Sequence, residues 1–307
     1  MNNKLPVLIV FFNRLDSLSE VLASVREYAP DVIYLASDGP REWIKGEDLK
    51  VLELRNYVES AIDWDCEVKT LFQKKNLGCK KSVHEAVQWF FSQEEKGVVL
   101  EDDIVPSLNF FKFCEEMLEF YKYDRSVASI GGRNELGEFD PENGFLFSSK
   151  FFCWGWASWA DRVIGLDLDV SSNQIIKKQV LKPLNWAERC LVEGMYGLIE
   201  SKQVNSWAYQ YDINFRANNQ LQILPERNMI KNVGLSIIGA HSSGASDDFV
   251  DVFEGFLPKP NKEAEVLKNQ QFIDAYLKKR YGSIFRLYFF SKVKYLKSLK
   301  ILLKKLR

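Results

Sequence analysis

The hydrophobic positions of the first 130 residues alternate between two periods. Residues 6–12 (PVLIVFF) form an unbroken apolar run, as in a strand buried on both faces of a parallel sheet. Leu15–Tyr28 follows with Leu18, Val21, Leu22 and Val25 at helical spacing. The same reading predicts strands over 32–36, 68–72, 97–100 and 127–130, and helices over 49–62, 80–91 and 110–121. The order is β-α-β-α-β-α-β-α-β, which predicts an α/β doubly wound fold with a mostly parallel sheet. In such sheets ligands sit outside the carboxyl ends of the strands. Three polar clusters follow strand ends here: Asn13-Arg14, Ser37-Asp38-Gly39 and Glu101-Asp102-Asp103. They are expected along one edge of the sheet.

Beyond this point the pattern loosens. Residues 135–185, rich in Gly, Asn and aromatics, read as irregular. Helices are predicted over 186–200 and 207–218, short strands over 221–224 and 229–233, and a Gly/Ser-rich loop holding His241 over 239–248. A further helix is expected over 262–281, then a helical tail to Arg307.

Composition narrows the class. Hydrophobic residues make up 46% of the 307 positions and charged residues 27%, the balance of a soluble globular chain. A chain of this length needs neither disulfides nor metal simply to fold. The net charge of −1 conceals an asymmetry. Residues 275–307 carry 11 Lys or Arg and no Asp or Glu, leaving 30 basic against 42 acidic residues in 1–274, or −12. An acidic body argues against nucleic acid as a partner. The five cysteines are odd in number and lack C-x-x-C spacing, which suits a reducing, cytoplasmic setting with buried thiols. The apolar run after Met1 is short, contains Pro6 and lacks a small-residue cleavage site, so no secretory leader is expected. No stretch reaches the roughly 18 apolar residues needed to span a bilayer.

Glu101-Asp102-Asp103 is the sharpest chemical signal. Three consecutive carboxylates at the end of an apolar strand repel one another, and a divalent cation relieves the repulsion. The plainer alternative is an acidic loop that caps the next helix. No G-x-G-x-x-G follows the first strand, and no G-x-x-x-x-G-K-[ST] occurs, so the phosphate cradles of Rossmann dehydrogenases and P-loop enzymes are both missing. Any bound diphosphate would need metal and basic side chains. Lys74, Lys75, Lys80 and Lys81, around Asn76-Leu77-Gly78, are candidates, or else a solvated loop.

Taken together, these residues resemble GT-A glycosyltransferases, in which an E-D-D or D-x-D motif binds a metal-held nucleotide sugar. The similarity runs through Asp38, Asn76-Leu77-Gly78 and residues 98–107 (VVLEDDIVPS), and is nearest to bacterial sugar transferases related to the enzyme that adds N-acetylglucosamine to the N-glycan core. Cys153-Trp154-Gly155-Trp156-Ala157-Ser158-Trp159 is similar to the family's W-G-W-A-x-W loop. Ser206-Trp207-Ala208-Tyr209-Gln210 and the segment 219–234 are similar to its W-x-x-Q…N-G-L-x-I-x-P…N-x-G stretch, and Ala240-His241-Ser242 stands where relatives often have T-H-T. The resemblance covers roughly residues 5–245.

The resemblance implies roles residue by residue. Asp103 would ligate Mn2+ or Mg2+, joined by His241. Asn13, Arg14, Asp38, Asn76, Gly78, Lys81, Glu101 and Asp102 would hold the nucleotide sugar. Trp154, Trp156 and Trp159 would form a platform for the saccharide acceptor, unless they are a structural aromatic cluster. Relatives often carry an acid at the position of Ala208, so the general base falls to Asp212, Glu135 or Asp161. The implied activity is metal-dependent, inverting transfer from a nucleotide-diphosphate donor, with uridine expected, in bacterial surface polysaccharide or lipopolysaccharide synthesis. A sugar nucleotidyltransferase and an inactive membrane-surface scaffold are the alternatives. One GT-A domain is expected over 1–260, with a nucleotide half to about 134 and an acceptor half after it. Residues 261–307 form a separate tail. There, Phe285, Phe289, Val293, Leu296, Leu299, Leu303 and Leu306 share one helical side, and Arg286, Lys294, Lys297, Lys304 and Lys305 another. That pattern predicts peripheral binding to the anionic inner face of the cell membrane, or packing of the tail on the body.

Overall fold

A computed structural model describes residues 4–137, 139, 144–234, 259–260 and 268–293. In chain order the strands are β1 (Val7–Phe11), β2 (Val32–Ser37), β3 (Glu67–Phe72), β4 (Lys96–Glu101), β5 (Ile104–Pro106), β6 (Val127–Gly131), β7 (Phe145–Ser148), β8 (Trp156–Trp159), β9 (Leu221–Pro225) and β10 (Ile230–Asn232). The helices are α1 (Leu15–Tyr28), α2 (Glu47–Ala61), α3 (Cys79–Phe91), α4 (Leu108–Phe120), α5 (Ala160–Val163), α6 (Gln174–Leu181), α7 (Trp186–Glu200), α8 (Trp207–Ala217), α9 (Gln270–Tyr281) and α10 (Ile284–Ser291).

Eight strands form one sheet in the order β3-β2-β1-β4-β8-β6-β9-β7. β1 pairs in parallel with β2 and β4, and β2 with β3. Every residue of β1 is buried because helices cover both faces, which is why the sequence shows a continuous apolar run there rather than an alternation. One face carries α1 and α4, with Leu18, Val21, Phe110 and Met117 in its core; the other carries α3 and α8, with Val87, Phe90, Trp207 and Tyr211.

The strand directions decide which loops share an edge. β8 runs antiparallel to β4, with Val99 opposite Trp156 and Lys96 opposite Trp159. The start of β8 therefore lies beside the end of β4. β6 is antiparallel to β8 and parallel to β9, so the ends of β6 and β9 return to the edge formed by the ends of β1, β2 and β4. A two-stranded ribbon adjoins this edge beyond β4: β5 pairs antiparallel with β10, and Val233 N–H donates to the Asp103 carbonyl at 2.9 Å.

The predicted elements of the first 130 residues all form. Residues 135–185, expected to be irregular, contain β7, β8, α5 and α6. β7 and β8 are four-residue strands buried throughout, so neither shows the alternation that marks a half-exposed strand. The helix expected from residue 262 is described from Gln270, where the Asn269 side chain accepts from Phe272 N–H at 2.9 Å and caps it. Gly282, at φ 69°, separates α9 from α10. Residues 294–307 lie outside the described part of the chain.

Candidate functional site

The ends of β1, β2 and β4 enclose a cleft of about 610 Å3, completed by the start of α3. That volume lies within the usual range for small-molecule sites. Its polar lining combines Asn13, Arg14, Asp38, Arg41, Asn76 and the Glu101–Asp103 carboxylates. The three strand-end clusters expected on one edge thus meet in one place.

The carboxylates are held differently. Glu101 ends β4 opposite Val10. Asp102 Oδ2 accepts from Phe12 N–H at 3.1 Å, which ties the loop to the end of β1. Asp103 Oδ2 accepts from Arg14 Nη1 at 2.8 Å, and Arg14 Nη1 stands 3.8 Å from Asp102 Oδ1. Burial and the neighbouring carboxylates push Glu101 up to about 8 and Asp102 up to about 6, against the opposing pull of Arg14. Burial also raises Asp103. Gly234 packs so closely that a Cβ there would meet Asp103 Oδ2 at 2.4 Å. Hard oxygen donors that are crowded and poorly solvated suit Mg2+ or Mn2+. Among the described residues no three His, Cys, Asp or Glu side chains form a ready metal cage. An ion held here would take one or two protein carboxylates and would need its remaining oxygen ligands from elsewhere.

Asp38 anchors the opposite wall. Its Oδ1 accepts from Gly39 N–H and Leu77 N–H, each at 2.8 Å, and its Oδ2 accepts from Gly78 N–H at 3.0 Å and Asn76 Nδ2 at 3.1 Å. The buried carboxylate thus clamps the β2 loop to the turn before α3. The two loops approach so closely that a Cβ on Gly39 would lie 2.4 Å from the Lys75 backbone. Arg55 reinforces the junction by donating to the carbonyls of Asp38 and Gln73, each at 2.9 Å. Asp38 lines the cleft, yet its oxygens are already used to build it.

Arg41, which the sequence reading passed over, is the second cation of the cleft. Its guanidinium lies 5.4 Å from the centroid of the Phe12 ring. The buried Glu47 carboxylate holds it through Arg41 Nε at 2.9 Å and also accepts from Asn13 Nδ2 at 3.0 Å. Arg41 stands three residues beyond Asp38, and following the β2 loop slightly further would have found it. Glu47 carried no comparable signal, because an acidic residue opening a helix is ordinary.

The expected lysines do not reach the cleft. Lys81 is exposed and pairs with Glu85 at 3.4 Å, while Lys80 pairs with Asp169 at 2.6 Å. His84 is packed, with Nδ1 3.0 Å from the Tyr211 hydroxyl. Of the three tryptophans, Trp156 and Trp159 are core residues, 1% and 5% exposed, because β8 runs through the middle of a sheet covered on both faces. They cannot form an acceptor platform. Trp154, before β8, stays half-buried near the carboxyl edge of the sheet, with the Arg133 guanidinium 4.2 Å from its ring centroid. Gly155 makes the intervening turn at φ 62°.

The three base candidates separate in space. Asp161 follows Trp159, which pairs with Lys96 at the start of β4. It therefore sits on the far edge, about 17 Å from Glu101 at the rise of a strand, and pairs with Arg125 at 2.7 Å. Asp212 is wholly buried in α8. Its Oδ1 accepts from Phe151 N–H at 2.6 Å, and its Oδ2 accepts from Arg216 Nε at 2.9 Å. Arg216 and Lys150 hold it below the usual carboxylate value against its burial. An engaged, inaccessible carboxylate cannot take an acceptor proton in this arrangement. Of the three, only Glu135 follows a strand that ends on the carboxyl edge, β6; it is half-exposed and accepts from Arg133 Nε at 3.1 Å. His241 lies outside the described residues.

No family model and no curated protein matches the sequence. Solved structures align in part. A mannosyltransferase from Pyrobaculum calidifontis, in complex with GDP-Man and Mn2+, is 11% identical with a TM-score of 0.41, over 71% of this chain and 70% of that one. TarS residues 1–349 from S. aureus are 10% identical with a TM-score of 0.41; this chain spans 61% of that one, over 76% of its own length. A UDP-glucose pyrophosphorylase complexed with UDP-glucose is 9% identical with a TM-score of 0.37, over 73% of this chain and 91% of that one.

Proposed function

We propose that this protein is a glycosyltransferase that moves a sugar from a nucleoside-diphosphate donor to a saccharide acceptor. The observation that carries the proposal is the meeting of Glu101–Asp103 with Arg14 and Arg41 in one cleft at the carboxyl edge of the parallel strands. A donor of this class presents a flat base, a ribose diol and a diphosphate. Arg41, planar and backed by the Phe12 ring, and the Asp38–Gly78 turn would border the nucleoside. Arg14 would turn from Asp103 to the phosphates. Asp103 would hold Mn2+ or Mg2+ against the diphosphate, where a bound ion neutralises the leaving group. Glu135 is the carboxylate we assign to take the acceptor hydroxyl proton, with Trp154 bordering the acceptor. Uridine as the base, inversion at the anomeric carbon and a place in bacterial surface polysaccharide or lipopolysaccharide synthesis rest on the motif resemblance.

The test is a panel of UDP- and GDP-sugars with Mn2+ and saccharide acceptors, scored for released nucleoside diphosphate. Release from one of them is the expected result. Glu135→Gln should slow transfer by about 10²–10⁴ and leave donor affinity unchanged. Pyrophosphate formed from a nucleoside triphosphate and a sugar phosphate would instead mark a nucleotidyltransferase. Failure to bind any nucleotide sugar would leave the inactive scaffold.

A further inference from the structure

The last described helices carry an exposed apolar face. α10 is fixed to the body on one side. Leu287 and Ser291 are buried, and the Phe290 ring covers Gly194 of α7 so closely that a Cβ there would meet it at 2.1 Å. Lys292 pairs with Glu193 at 3.4 Å, and the Tyr281 and Phe290 rings lie 5.1 Å apart. On the opposite side Ile284, Phe285, Tyr288 and Phe289 are 68%, 75%, 45% and 55% exposed. Their spacing places them in one stripe along the helix. Scattered exposed apolar residues are ordinary, but four large ones in contiguous positions mark an interaction surface.

The charge around the stripe selects the partner. Lys278 and Arg280 are exposed in the last turn of α9, Arg286 is exposed beside the stripe, and the sequence from 275 to 307 holds 11 cations and no anion. Two copies docked stripe to stripe would bring both cationic segments together, which like charge opposes. A surface that accepts aromatic rings at its boundary and carries diffuse negative charge satisfies both features. We infer that the outer face of α10 inserts into the headgroup boundary of an anionic membrane while the flanking cations rest on it. Because the inner face is packed on α7, insertion would fix the orientation of the whole protein, which a free tail could not do. The inference does not depend on the proposed sugar transfer, since its test requires no turnover.

The full-length protein should co-sediment with vesicles of phosphatidylcholine containing about one quarter phosphatidylglycerol, and much less with phosphatidylcholine alone. Raising the salt to about 0.5 M should weaken the binding. Phe285→Ser with Phe289→Ser should lower the partition coefficient about tenfold or more while leaving the thermal midpoint and oligomeric state unchanged. Phe285→Gln alone, at the most exposed position, supplies the same comparison if the double variant folds poorly. Absence of wild-type binding to anionic vesicles would overturn the inference, as would equal binding by the variants. A wild-type dimer that the variants dissolve, without vesicle binding, would assign the face to a second copy instead.

Discussion

Under the proposed function, a divalent cation would have to compete with Arg14 for the same Asp103 oxygen. In the described arrangement the guanidinium neutralises Asp103 at 2.8 Å, which offsets part of the cost of crowding three carboxylates. Arg14→Ala should therefore tighten binding of Mn2+ alone by about fivefold, equivalent to ~1 kcal/mol for a partly exposed pair. The same variant should bind nucleoside diphosphate more weakly, because the arginine is then missing from the phosphates. Asp103→Asn should lose Mn2+-dependent nucleotide binding while keeping its thermal midpoint. Titration calorimetry with each ligand separates these effects. Weaker Mn2+ binding by Arg14→Ala, or nucleotide affinity in Asp103→Asn that still responds to Mn2+, would refute the assignment. Residue type and position made this pair visible beforehand: Arg14 follows one strand and Asp103 another. Their contact was not visible, because it is made by chain segments 89 residues apart.

At the scale of elements, the cleft is a set of loops pinned to helix starts. Glu47 opens α2 and ties it to Arg41 in the β2 loop and Asn13 in the β1 loop. The hydrogen bonds from Arg41 outweigh burial and lower Glu47 to about 2 from an ordinary value of 4.5. The pair's contribution to stability is thus complete above about 4.5 and is lost as the pH falls through about 2. Glu47→Gln should flatten the acid limb of the stability curve across that window and weaken nucleotide binding at neutral pH. Urea melts at a series of pH values would show it, and an unchanged acid limb would remove Glu47 from the scaffold of the site. Periodicity located α2 to within two residues at its start, but an amphipathic pattern describes only the face a helix buries. It is silent about a charged first residue whose partners come from two other loops.

For the molecule as a whole, the second half of the sheet depends on a buried ion pair. Asp212 in α8 gathers Arg216 and the Phe151 amide and lies 3.8 Å from Lys150, joining the helix to the chain between β7 and β8. Removing one partner of such a pair leaves the other charge uncompensated and costs about 3–5 kcal/mol. Asp212→Ala should show that loss in equilibrium urea unfolding. A variant of normal stability with turnover reduced about 10²–10⁴ would return the residue to catalysis. Among the described residues no helix is long and apolar enough to cross a membrane.

The sequence alone determined the alternation of strands and helices over residues 1–130 and the carboxyl edge at which polar residues would gather. Both follow from local rules: side-chain period reports burial, and a parallel α/β unit has only one edge open to ligands. What it could not determine was accessibility. Trp154, Trp156 and Trp159 look alike along the chain, and only the antiparallel insertion of β8 into the middle of the sheet buries the last two and leaves the first half-buried near the carboxyl edge. Asp161, Asp212 and Glu135 are likewise equivalent as carboxylates. Strand direction sends Asp161 to the far edge, packing seals Asp212, and Glu135 remains half-exposed on the carboxyl edge. Strand order and direction in the second half arise from pairings between distant segments. No periodicity within a short window records them, so tertiary structure alone decided which of the candidate residues share a site.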